Sequence, residues 1–251
     1  MTIPNDQRSN LPLDNARIEP RGYYLALSIH PPVRLERKKG YEFASLLSGF
    51  LDPRSVSIED HQWTFSQPVS GSVRSQLQVV VLPNQVQVIA DFPRDAKEWF
   101  EGRQLQVLKA FGNTFSPVLI LDSAAMIRGT LPIDGDARTF LAQHLMNMGD
   151  DRFREFRRPI QLIGLKLVFP PFQAMGEQGV KVTDSLYEVH AESLLEDPAK
   201  LFLEISARWQ QPLPWSGDNL DKVIQRQQEV TDYLEQNVAA FLRQAASGSE
   251  E

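Results

Sequence analysis

Apolar and polar positions alternate with a period of two near the start of the chain. Tyr23, Leu25, Leu27 and Ile29 interleave with Tyr24, Ala26, Ser28 and His30. That period sends successive side chains to opposite faces and predicts a strand over 22–30. Pro31 and Pro32 stop it, because proline has no N–H to give to a ladder. The period then lengthens: Tyr41, Ala44, Leu47 and Leu51, broadened by Phe43, Leu46 and Phe50, predict a helix over 37–51. Three strands are expected next. They span 55–65 (Val56, Ile58, Trp63), 73–82 (Leu77, Val79, Val81) and 85–92 (Val86, Val88), with a turn at Pro83-Asn84. A helix over 94–112 closes the unit, its stripe formed by Trp99, Phe100, Leu105, Leu108 and Phe111 and weakened by Gly102.

The same order recurs from Pro117. Leu119 and Leu121 alternate with Val118 and Ile120, and a helix over 136–149 is expected behind an Asp134 or Asp136 cap. Its stripe is Phe140, Leu141, Leu145 and Met148. A strand over 159–169 ends at Pro170-Pro171, and a loop covers 172–179. Val180, Val182, Tyr187 and Val189 mark a less regular strand. Leu201, Leu203, Ile205, Ala207 and Trp209 form the cleanest alternation, with Glu204, Ser206 and Arg208 on the wet face. Ser216 precedes a long helix over 217–244, striped by Leu220, Val223, Ile224, Val230, Leu234, Val238 and Phe241. The expected fold class is α+β: two similar β-α-β-β-β-α halves with mainly antiparallel sheets, helices on one face and a long C-terminal helix. The expected organisation is a flexible arm over 1–21, units over 22–115 and 116–244, and a disordered tail over 245–251. The halves match in element order rather than in residues, so internal duplication is an expectation of architecture only.

Composition narrows the classes. Among 251 residues, 42% are hydrophobic and 23% charged, enough for a sizeable core. The net charge of −6 argues against a chain-wide grip on nucleic acid. The absence of cysteine excludes disulfides, thiolate metal sites and cysteine nucleophiles. No stretch reads as a secretory signal or a membrane span, so a bacterial-style cytoplasmic protein is expected, with no membrane partner.

No Gly-rich phosphate loop, nucleophile elbow or His-Glu-x-x-His motif occurs. No catalytic, cofactor-binding or metal residue is assigned, and no cofactor is expected. Of the histidines, His144 faces its helix stripe and reads as a core residue. His30 ends a strand, His61 follows Asp60 on the opposite strand face, and His190 falls out of phase with Tyr187 and Val189. Asp134 and Asp136 lack the following oxygen donors of a calcium loop and read as capping groups. Two basic clusters are candidates for phosphate or nucleic-acid contact: Arg34, Arg37, Lys38 and Lys39, and Arg152, Arg154, Arg157 and Arg158, the second interleaved with Phe153 and Phe156.

Three functions remain. The leading one is a non-enzymatic scaffold or interaction protein that binds a protein partner or its own copy. The alternative is a nucleic-acid- or phosphate-binding protein acting through the Arg/Phe clusters. The third is an enzyme or small-ligand binder with a site between the halves, drawing on His61, Asp122, His144 and Arg158. The junction between the halves, near the basic segment 152–158, is the expected location of any site.

Overall fold

A computed structural model describes residues 16–51, 55–68, 76–92, 97–148, 153, 156–158, 160–176, 179–183 and 185–247. The chain begins with β1 (Glu19–His30), α1 (Arg37–Leu47), β2 (Ser55–Ile58), β3 (Trp63–Pro68), β4 (Gln76–Leu82), β5 (Gln85–Asp91) and α2 (Lys97–Phe115). It continues through β6 (Leu119–Pro132) and α3 (Ala137–Phe140), which runs into a π turn (Leu141–Leu145). Then come β7 (Gly164–Phe169), β8 (Phe172–Gly176), β9 (Gly179–Thr183), β10 (Ser185–Ser193), β11 (Lys200–Trp209) and the short β12 (Leu213–Pro214). The C-terminal helix comprises α4 (Gly217–Asp232), a π segment (Tyr233–Val238) and α5 (Ala239–Ser247).

One large sheet holds most of these strands in the order β2-β3-β4-β5-β1-β6-β11-β10-β7, with β12 beside β6, and β8 and β9 form a separate hairpin. Every ladder in it is antiparallel. β1 and β6 lie side by side at the centre. From β1 the path runs outward through β5, β4 and β3; from β6 it runs outward through β11, β10 and β7. No helix among the described residues is long and apolar enough to cross a membrane.

The period of two explains which face is buried. Tyr23, Leu25, Leu27 and Ile29 of β1 join Ile127 and Leu131 of β6 and Leu201, Leu203 and Ile205 of β11 in a single core. Phe43 and Leu47 of α1, Leu108 and Phe111 of α2 and Leu220, Val223 and Val230 of α4 enter the same core. Its densest part is aromatic: Phe43 meets Phe65, Phe111 and Phe115 edge-on at 5.3, 6.1 and 6.0 Å. The α2–α4 boundary also holds polar groups. Gln228 Nε2 donates to Glu101 Oε2 at 2.8 Å, and the buried Arg226 donates from Nη1 to Ser123 Oγ at 2.9 Å with its guanidinium over Trp209.

Several expectations require correction. The strand expected over 55–65 is two, β2 and β3, because Glu59 N–H donates to Gln62 O and closes a charged turn at Glu59-Asp60-His61. Four strands, β2 to β5, therefore separate α1 from α2 among the described residues. The strand at 118–121 extends to Pro132, since buried Ala125, Ile127 and Leu131 continue the alternation that Asp122 and Arg128 interrupt on the wet face. The loop expected over 172–179 lies within the β8–β9 hairpin, paired from Phe172↔Thr183 to Gly176↔Gly179. The arm expected over 1–21 ends earlier, as Glu19–Arg21 belong to β1; residues 1–15 lie outside the described residues. The tail expected from 245 still contains helix through Ser247, with Ala246 buried, and residues 248–251 lie outside the description. Of the two expected caps, Asp134 or Asp136, it is Asp136 that caps α3, accepting from Arg138 N at 2.8 Å and from its guanidinium; that hydrogen-bonded guanidinium holds the carboxyl pKa down to about 2.

Phe43→Ala should lower unfolding free energy by about 3–5 kcal/mol, because it empties the centre of the aromatic cluster. Tyr41→Ala, on the same helix but 66% exposed, should stay within about 0.5 kcal/mol of the parent. Urea denaturation followed by circular dichroism checks both.

Candidate functional site

The alternate side chains of the sheet point away from the core. On the central strands these include Ala26, Ala124, Met126 and Ser206, which remain half-exposed among the described residues. Ala26, Ala124 and Ser206 are small and leave a shallow floor on the central strands. Several charges on this face are matched across strands: Arg128 Nε donates to Glu204 Oε2 at 2.6 Å, Arg208 Nη2 to Asp122 Oδ2 at 2.8 Å, and Lys166 pairs with Glu188 at 2.7 Å. Asp122 also accepts from Ser28 Oγ at 3.0 Å.

At one end of the β1–β6 seam the floor deepens into a pocket of about 380 Å³. Arg21, Tyr24, Asp91, Phe92, Arg128, Thr130, Leu194, Glu196 and Phe202 line it. The wall thus draws on β5 and β1 from the first unit and on β6, β11 and the β10–β11 turn from the second. A smaller pocket of about 190 Å³ adjoins the same turn, lined by Arg138, Gln161, Ser193, Leu194, Leu195 and Pro198.

The larger pocket is organised by one hydrogen-bond chain. Tyr24 Oη donates to Asp91 Oδ1 at 2.5 Å, and Arg128 Nη1 donates to Tyr24 Oη at 3.2 Å while its guanidinium lies 4.9 Å above the Tyr24 ring. Burial first, then the hydrogen bond and charge of Asp91, push the Tyr24 phenol up to about 12 despite the opposing Arg128 charge. Burial opposes the charge on Arg128, but the Glu204 hydrogen bond and the neighbouring Tyr24 and Glu204 raise its pKa. Glycine sets the ring position: a Cβ at Gly22 would lie 2.7 Å from the Tyr24 ring, so that ring can fold back over the strand only because residue 22 has no side chain.

The opposite wall depends on backbone irregularity. A register shift between Pro20 and Gly22 breaks the alternation of β1. Arg21 and Tyr24, three residues apart, would face opposite sides of a regular strand; the bulge lets both line one pocket. Arg21 lies 5.6 Å from the Phe92 ring centroid, and its Nε donates to Thr130 Oγ1 at 3.4 Å. Phe92 has φ of 46°, the left-handed region that favours glycine, and its N–H donates to Arg21 O at 2.8 Å. Non-glycine residues held this way concentrate at functional sites.

The basic clusters fall elsewhere. Arg34, Arg37 and Lys38 are exposed around the start of α1, and Lys39 lies 5.7 Å over the Phe115 ring. Arg157 and Arg158 are exposed beyond α3, while Arg152 and Arg154 lie outside the described residues. α1 packs beside β2 and α3 against β10, strands seven positions apart in the sheet. His30 is exposed; His61 is exposed beside Glu59 at 3.6 Å; His144 is half-buried against the Phe140 ring at 5.1 Å; His190 sits on the open face 3.4 Å from Glu192.

Sequence reasoning missed Arg21, Tyr24, Asp91 and Arg128 as a group. Tyr24 was visible as a wet-face position of the first strand and Glu204 as one of the penultimate strand. Arg128 was hidden because its strand was ended too early, and Arg21 because a bulge leaves no periodic signature.

An alkaline absorbance titration should resolve a tyrosine step near pH 12, above the ordinary 10, to which Tyr24 and Tyr187 contribute. Tyr24→Phe should remove about half of it. Because the folded-state value lies above the unfolded one, the stability tied to Tyr24 is complete below about pH 10 and lost as pH rises to about 12. A high-pH step undiminished in the variant would contradict the placement of Tyr24. Comparison with known protein-family models finds no match, and comparison with curated proteins finds none either.

Proposed function

We propose that this chain is a binding protein whose ligand occupies the pocket on the open sheet face at the β1–β6 seam. The observation that carries this reading is the wall itself: strands of both units build it, a fixed Arg128–Tyr24–Asp91 chain shapes it and the left-handed Phe92 rims it. Its volume falls within the range of small-molecule sites. Tyr24, with its pKa raised to about 12, is protonated at neutral pH and gives its O–H to Asp91, which supports a role in shaping the pocket rather than that of a general base. The mirrored strand paths about β1 and β6 support descent of the two units from one duplicated ancestor, with the pocket at their join.

The nucleic-acid reading is weaker. Arg128, Arg208 and Lys166 are each matched by a carboxylate on the open face. They offer little of the unmatched positive charge that a phosphate backbone requires.

Self-association is a second reading, supported by β7. This strand pairs only with β10 among the described residues, and it exposes Val168 and Phe169. An apolar edge strand can pair with its own copy about a twofold axis.

Two measurements test these readings. A mixed-charge fragment library followed by amide NMR should shift Arg21, Asp91, Arg128 and Phe202 first; hits confined to other surfaces, or none, would sink the pocket reading. Light scattering at high concentration should give a mass above 28.5 kDa, returned to the monomer value by Val168→Lys. A monomer at every concentration removes the second reading.

A further inference from the structure

We infer that the ligand of the seam pocket is a small zwitterion of the amino-acid type, a carboxylate and an ammonium on neighbouring atoms with an apolar or aromatic side chain. This rests on the pocket reading above and assigns its chemistry.

Among the described residues, three charged groups of the pocket have no ion pair within 4 Å: Arg21, Asp91 and the exposed Glu196. Arg21 is half-buried. Its recorded partners are the Thr130 hydroxyl, reached by Nε alone, and the face of Phe92. No carboxylate lies within 4 Å of it among the described residues. The nearby Glu19 is engaged by Lys200 at 2.9 Å, and the Lys200 hydrogen bond first, with the Arg21 charge adding to it, lowers the Glu19 pKa. Arg21 Cζ lies 5.6 Å from the Phe92 centroid, and among the described residues neither Nη has a hydrogen-bond partner, which leaves both to a carboxylate. Asp91 is also half-buried. One of its oxygens accepts from Tyr24, and no cation lies within 4 Å of it among the described residues. The remaining pocket arginine, Arg128, is already engaged by Glu204.

Arg21 and Asp91 are neighbours. Gly22 faces Asp91 across the β1–β5 ladder, and Arg21 and Phe92 are bound to each other by the adjacent backbone hydrogen bond. They therefore flank one point of the wall without meeting. A ligand whose carboxylate and ammonium are separated by a single carbon bridges such a gap, satisfying both charges at once. Its side chain is then directed toward Leu194 and Phe202, which line the pocket across β11. A purely anionic ligand leaves Asp91 facing it, and a purely cationic one leaves Arg21, and each mismatch costs a charge-assisted hydrogen bond.

The test is calorimetric titration of the full chain with three probes of one shape: L-phenylalanine, 3-phenylpropionate and 2-phenylethylamine. L-phenylalanine should bind at least roughly tenfold tighter than either partner, the scale of one lost charge-assisted hydrogen bond. Arg21→Gln should reduce L-phenylalanine to the level of 2-phenylethylamine, and Asp91→Asn to that of 3-phenylpropionate. Arg21→Lys keeps the charge and should retain part of the affinity, so a folding defect in Arg21→Gln does not end the test. Equal binding of L-phenylalanine and either one-charge probe overturns the inference. If the fragment library finds pocket ligands and none of the three probes binds, the zwitterion is wrong and the pocket reading stands. If nothing binds in the pocket, both fall.

Discussion

Without the pairing of β1 with β6 the molecule would be two half-sheets with nothing to hold their helices in register. This ladder runs from Glu19↔Thr130 to His30↔Leu119 and is the longest in the sheet among the described residues. On the core side it sets Leu25 opposite Ala125 and Leu27 opposite Ser123, large against small. The small partners make room for α4, whose Arg226 reaches down to Ser123. On the open side the same ladder sets Tyr24 opposite Met126 and Ser28 opposite Asp122. One antiparallel register therefore decides both the packing of the helices and the placement of the polar network.

The seam is also where the strand is least regular. The shift between Pro20 and Gly22 and the left-handed Phe92 sit on neighbouring strands at the same end of the sheet. Each disturbs a period that the core otherwise enforces strictly. A bulge at a central strand is retained where the neighbouring structure gains from re-aiming a side chain, and here the re-aimed side chain is Arg21. The rest of the open face is quiet by comparison, several of its charges neutralised pairwise across strands. Such pairs add little stability at half-exposed positions, but they leave the face without a strong field of either sign.

The buried groups between α2 and α4 carry a different constraint. Gln104 and Gln227 are fully buried, and their side-chain amides find no protein partner among the described residues. Such groups cost about 1–3 kcal/mol each when left unpaired. The apolar stripes of both helices must offset that cost, which is consistent with the length of α2 and of the C-terminal helix.

What the sequence determined by itself was the set of elements whose one face is buried without interruption. The alternations at 23–29 and 201–209, the stripe of α1 through Phe43 and Leu47 and the stripe of the C-terminal helix through Val223 and Val230 all reflect a local period imposed by a continuous core. It also favoured antiparallel pairing, from short turns such as Pro83-Asn84. Where the local signal was mixed, the reading failed: Asp122 and Arg128 hid the far half of β6, and the charged turn at Glu59–Gln62 was absorbed into one strand. The site was beyond sequence for a further reason. Arg21, Tyr24, Asp91 and Arg128 stand on three strands drawn from both units, and they meet only because β5, β1 and β6 are neighbours in the sheet. Periodicity reports which face a residue takes within its own element. Which elements lie side by side, and where a bulge turns one residue toward another, was decided by the tertiary pairing.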